Sequence, residues 1–85
     1  MSSPGWLVVL VERNNTIYKI ASAKDALDLL FSDWPKNTGL PFIQALEACG
    51  GVLSGSITND EAEFAFLAAA LDAGVSFEFD EEGIR

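Results

Sequence analysis

Trp6-Leu7-Val8-Val9-Leu10-Val11 is apolar at every position and carries three valines. A strand with one wet face alternates apolar with polar residues, whereas a covered strand between two neighbours reads as an unbroken apolar run. The segment is therefore read as the central strand of a small sheet. Beyond it, Asn14-Asn15 can adopt the positive φ angles of a tight hairpin turn. Thr16 to Ala21 then alternates and returns as the second strand, so residues 1–21 form a hairpin. The other neighbour lies far along the chain. Val75, Phe77 and Phe79 alternate with Ser76, Glu78 and Asp80, the pattern of a half-buried third strand. The predicted sheet order is 2-1-3.

Between these strands the period changes from two to about 3.6. Ser22 and Asp25 form a weak capping box, after which Ala23, Leu27, Leu30 and Trp34 fall on one line with Ala26 and Phe31 beside it, predicting a helix over 23–33. Pro35 and the turn Lys36-Asn37-Thr38-Gly39 end it. Pro41 suits a first helical turn, and Phe42, Leu46, Cys49 and Leu53 share a face of a second helix while Gln44 and Glu47 point away. Gly50-Gly51 costs that helix roughly 1 kcal/mol per residue relative to Ala, so it either frays there or is packed closely. Thr58 and Glu61 make a stronger capping box, with Ile57 and Ala62 as its staple and Gly74 as a left-handed cap, predicting a third helix over 59–73. That helix carries Phe64, Leu67, Ala68 and Leu71 on one face and Ala62, Phe66, Ala69 and Ala73 on the opposite one, so cover is expected on both sides. The expected fold is one α+β domain of order ββαααβ, a three-stranded sheet packed against three helices, with 1–5 and 81–85 as mobile tails.

The 85-residue chain is too short for two domains, and a chain of this size buries only about 60% of its unfolded surface. Its net charge of −8 argues against binding nucleic acid or anionic membrane. Residues 1–46 carry four acids and four bases, so the whole excess lies beyond them. Mean hydropathy is +0.24, high for so charged a chain. No apolar stretch approaches the roughly 18–20 residues of a membrane span, and no secretory signal pattern precedes the first strand. A single cysteine forms no internal disulfide, in keeping with a reducing compartment, and a cytoplasmic location is expected.

No histidine is present, which removes Ser-His-Asp and Cys-His nucleophile systems and every His-containing zinc site. Cys49 falls on the apolar face of the second helix with no basic residue close in sequence, the setting of a structural thiol. Asp25 and Asp28 project from the core line, and Asp60, Glu61 and Glu63 enrich a helix N-terminus, where the dipole favours acids. The acidic run around Glu78 and Asp80 lacks the spacing and the turn glycine of a calcium loop. The glycines form no phosphate-cradling motif. No catalytic residue, metal ligand or cofactor site is assigned, and a non-catalytic protein is expected. A carboxylate-based hydrolase, or a subunit supplying part of a shared site, is the enzymatic alternative.

The arrangement Ala26-Leu27 with Leu29-Leu30, Trp34-Pro35, Gly39, Ala45 to Cys49, Gly55, and Ala65-Phe66-Leu67 before Ala73-Gly74 resembles the small bacterial family catalogued as domain of unknown function 982, over roughly residues 8–75. The resemblance implies no activity, cofactor or catalytic residue. Ahead of the Ala-Phe pair, where that family often carries an arginine, this chain has Glu63.

What remains is unmatched apolar surface. The first strand is apolar on both faces, and one layer of helices covers one of them. Trp6, Val8 and Leu10 on that strand, with Phe66, Ala69 and Ala73 on the third helix, are the candidate interface residues. The expected partner is a second copy of the chain in a homodimer, because a two-fold interface is the commonest cover for such a patch. The alternative is a basic protein steered onto the acidic C-terminal half.

Overall fold

A computed structural model describes residues 6–80, and the tails expected at 1–5 and 81–85 lie outside the described residues. The order along the chain is β1 (Val9–Arg13), β2 (Thr16–Ile20), α1 (Ala23–Ser32), α2 (Leu40–Ser54), α3 (Asn59–Ala73) and β3 (Ser76–Phe79). All three strands are antiparallel in the order β2-β1-β3. The α+β fold and strand order read from the sequence are the observed ones.

The hairpin closes through two residues, Asn14 at φ 51° and Asn15 at φ 66°. This loop, with both central residues at positive φ, matches the right-handed twist of the flanking strands, and asparagine tolerates the left-handed region better than most residues do. Arg13 at the end of β1 ties the hairpin to the helical layer: its Nη2 lies 3.0 Å from Asp33 Oδ1 and its Nε donates to the Asp33 carbonyl at 3.2 Å.

Three local signals set the helices. Ser22 caps α1 by accepting from the Asp25 N–H, while the Asp25 carboxylate accepts from Ala21 N–H instead of completing a box. Thr58 and Glu61 form the full reciprocal box at the start of α3, and Gly74 at φ 73° closes its end. The glycine pair does not fray α2. Ile57 folds back onto Gly51 so closely that a Cβ there would come within 2.3 Å of Ile57 Cγ1, and the Ser56 and Ile57 N–H groups both donate to the Gly51 carbonyl.

The helices form more than a single layer. α1 lies against β2 and α3 against β3, while α2 packs across α1 and α3 without close approach to a strand. Val9, Val11 and Ile20 supply the sheet's share of the core; Ala26, Leu30, Ala45, Cys49, Phe66 and Ala69 supply much of the rest. Phe66 is fully buried at the centre, with the Trp34 ring centroid 5.5 Å from its own.

Two periodicity readings are corrected. Phe31 and Leu53, placed on or beside core faces, are exposed, and Leu29 and Ala45 take inward positions. On α3 the inward side is the one rich in small residues, Ala62, Phe66, Ala69 and Ala70; Phe64 and Leu71 on the other side are 77% and 72% exposed. Within the chain, α3 is covered on one side.

Candidate interaction surfaces

Alternation along β1 sends Val9 and Val11 into the helical layer and turns Leu10 and Glu12 to the opposite face of the sheet. Register then fixes who stands beside them. Leu10 pairs with Lys19 on β2 and Glu78 on β3, and Glu12 pairs with Ile17 and Ser76. Paired residues share a face, so this surface carries two rows across the strands, Lys19-Leu10-Glu78 and Ile17-Glu12-Ser76. No helix covers it. Ile17 is 60% exposed, and a shallow depression of about 310 Å³ lies between Leu10, Glu12, Ile17, Ser76, Phe77 and Glu78. Its walls carry two carboxylates and two aliphatic side chains, and it opens broadly to solvent.

The six candidate interface residues separate. Val8 and Leu10 are half-buried at the open face. Trp6 is not there. Strand alternation groups it with Val8 and Leu10, but the ladder starts at Val9, and upstream of it the indole turns inward to lie 6.2 Å from the Phe66 ring. Phe66 and Ala69 are buried inside the chain and Ala73 is half-buried, so the outward side of α3 is instead the stripe from Phe64 to Leu71. Volume accounts for the exchange: small residues let α2 approach α3 closely, which Phe64 and Leu71 at those positions would prevent.

A third feature escaped the sequence. Glu63 stands among the acids at the start of α3, where a solvated role is expected, yet it is only 6% exposed. Its Oε1 accepts from the Leu7 N–H at 2.9 Å, which fastens the segment leading into β1 onto α3. Oε2 and both indole nitrogens, Trp6 Nε1 and Trp34 Nε1, are buried and make no hydrogen bond among the described residues. Burial raises the Glu63 carboxyl above the usual carboxylate range; the Leu7 N–H opposes that, and the Asp60 charge adds to it. The signal that could have found it is the spacing Glu63, Phe66, Ala70, which places the acid on the buried side of the helix.

Cys49 is buried, and desolvation pushes its thiol up to about 11, so it is fully protonated at neutral pH and a poor nucleophile. Asp33 gathers Arg13, Asn14 and Tyr18 at the turn end of the hairpin, with the Tyr18 hydroxyl 3.4 Å from its Oδ2. That cluster anchors the hairpin to the end of α1. Among the described residues no group of three acidic or thiol side chains is placed to hold a metal ion, and no helix is long and apolar enough to cross a membrane.

Residues 7–77 match the family model described as protein of unknown function (DUF982). No curated protein and no solved structure matches the chain.

Proposed function

The chain belongs to the DUF982 family, whose description assigns no activity, and from the geometry we propose that it is a non-catalytic protein-interaction module that associates with itself. One observation carries the reading: the sheet has a complete apolar core on one face and, on the other, the uncovered aliphatic surface of Val8, Leu10 and Ile17. Uncovered apolar surface that is continuous across strands is the usual mark of a protein contact. The places where chemistry would be sought favour a non-catalytic role. Cys49 is a buried protonated thiol, Glu63 is spent on the Leu7 N–H, and the depression on the sheet is too open to exclude water from a reaction. The free buried cysteine and the absence of a helix long enough to span a membrane among the described residues support action in the cytoplasm.

Light scattering behind a sizing column tests this. The mass is expected to rise from that of one 9.1 kDa chain toward twice that value between about 10 μM and 1 mM, the range of the weak interfaces that small contact areas give. A mass of one chain throughout overturns the proposal.

A second reading rests on the α3 stripe. Phe64 and Leu71 are exposed between Asp60 and Glu61 at one end and Asp72, paired with Lys36 at 3.0 Å, at the other, an apolar strip whose N-terminal border is acidic. That combination suits a basic protein partner. Retention of basic proteins at low salt that is lost both at high salt and in Phe64→Ser favours it; equal retention by the variant refutes it.

A further inference from the structure

The open sheet face is charged asymmetrically about its centre. Leu10 sits in the middle strand with Lys19 on one side and Glu78 on the other, both exposed. Adjacent strands lie about 4.8 Å apart, so the backbones of the two residues stand roughly 10 Å from each other across the leucine. No ion pair among the described residues joins them, and both side chains are exposed to something placed above the face.

Two copies stacking face to face are related by a two-fold axis lying in the interface. If that axis runs across the strands, β2 meets β2 and β3 meets β3, which places Lys19 against the partner's Lys19 and Glu78 against the partner's Glu78. If it runs along β1, β2 of one copy faces β3 of the other. Leu10 then meets the partner's Leu10, and Lys19 meets the partner's Glu78 twice, once on each side. Aligned sheets pack about 10 Å apart with their strands within about 30° of each other, a gap that a lysine and a glutamate extending from opposite sheets can close.

Resting on the self-association proposed above, we infer that the chain dimerises through the open face of its sheet, about a two-fold axis parallel to β1, with reciprocal Lys19 to Glu78 contacts on either side of a Leu10 pair. The α3 stripe is a poor rival for the same occupant. Stacked on its own copy about an axis along the helix it would bring Asp60 and Glu61 of both chains together, and stacked antiparallel it would set them against the partner's Asp72, a contact between acids that only Lys36 relieves. The sheet face brings one such pair together, Glu12 against the partner's Glu12 on the axis. Area sets the strength. Three strands at about 4.8 Å spacing and about 17 Å length give a flat footprint near 240 Å², so even a corrugated face stays well below the roughly 800 Å² per partner of a standard stable interface. The dimer dissociates on dilution.

Charge reversal reads the geometry by sedimentation equilibrium. Lys19→Glu and Glu78→Lys, measured separately at low salt, are each expected to weaken the dimer at least tenfold, because each places like charges at both contacts. An equimolar mixture of the two variants is expected to regain association at least as tight as wild type, since both contacts of the mixed dimer are again opposite in sign. Glu12→Gln is expected to tighten the dimer. Circular dichroism of each variant confirms that it is folded. A protein that dimerises but whose constant ignores both reversals overturns this axis and face while leaving self-association standing. A mixture no tighter than its components does the same. A wild type that stays one chain in mass up to 1 mM overturns both.

Discussion

Glu63→Gln separates the electrostatic cost of a buried acid from its hydrogen bond. The glutamine keeps a carbonyl oxygen where Oε1 accepts from Leu7 N–H and removes the charge that burial penalises. Glu63 in the folded chain holds its proton more tightly than in the unfolded one. Whatever favours folding through this group is therefore fully present below the unfolded value, near 4.3, and is lost as pH rises through the folded value. Once the pH has passed the folded value, the wild type carries a buried carboxylate with one oxygen satisfied and one without a partner among the described residues. An unsatisfied buried polar atom costs about 1–3 kcal/mol, and the amide that replaces Oε2 recovers part of that by being neutral. The variant is expected to be more stable than wild type by about 1 kcal/mol at pH 7, which for a domain of this size raises Tm by about 4–8 °C. Urea unfolding of both proteins from pH 8 to pH 4 is the assay. The difference between them cancels every other titrating group and is expected to be level above the folded value and to shrink as the pH falls from there toward the unfolded one. A variant less stable than wild type at pH 7, or a difference that does not change with pH, would refute the reasoning.

Helix propensity and packing make opposite demands at the glycine pair. Gly51→Ala gains about 1 kcal/mol of propensity but sets its Cβ 2.3 Å from Ile57 Cγ1, on a segment whose N–H groups are bonded to the Gly51 carbonyl and cannot retreat, so a net loss of about 1–3 kcal/mol is expected in chemical denaturation. Gly50→Ala meets nothing within 4 Å and is expected to stabilise by up to about 1 kcal/mol, so equal effects at the two positions would discredit the close approach of Ile57. Cys49, buried with its thiol raised to about 11, is expected to resist alkylation at pH 7 in the native protein and to react fully in denaturant. Native labelling at the rate of a free thiol would show the site to be open.

The strands and caps were legible because each rests on a local rule. An apolar run without alternation marks a strand with neighbours on both sides, Asn14-Asn15 marks a two-residue turn, and Thr58 with Glu61 marks a helix start; each has the predicted role. What local rules leave open is the choice between two equivalent faces. On α3 both sides are apolar, and hydrophobicity alone favours burying the larger one with Phe64 and Leu71. The inward side is decided by how closely α2 must pass, a property of the assembled core that favours alanines around a single Phe66 ring. Trp6 and Glu63 share a second difficulty. Trp6 precedes the ladder, where strand alternation has no authority, and Glu63 is an acid in the first turns of a helix, where a solvated role is the ordinary expectation. Both belong to the contact between residues 6–7 and α3: Trp6 has no local signal for its place against that helix, whereas Glu63 follows from its spacing to Phe66 and Ala70 once the inward side of α3 is fixed.

That contact also bears on the candidate surfaces. Trp6 packs on Phe66 and Leu7 N–H bonds Glu63, so the segment entering β1 is held to the helical side of the molecule and away from the open face of the sheet. The face that remains is formed by Val8 and by register-fixed positions on three paired strands, which hold Lys19, Leu10 and Glu78 in fixed order. Two apolar surfaces therefore coexist with different charge patterns, mixed on the sheet and acidic around the α3 stripe. Hydrophobicity alone ranks the stripe first, since Phe64 and Leu71 are the more exposed. Charge reverses that order for a second copy of this chain: Lys36 pairs with Asp72 at one end of the stripe, but the Asp60 and Glu61 end carries acids alone and repels its own image, whereas a surface with both signs on either side of an axis attracts it. The same difference gives the two faces opposite responses to substitution. Adding a positive charge on the α3 border would ease self-contact there, whereas adding one at Glu78 weakens it at the sheet.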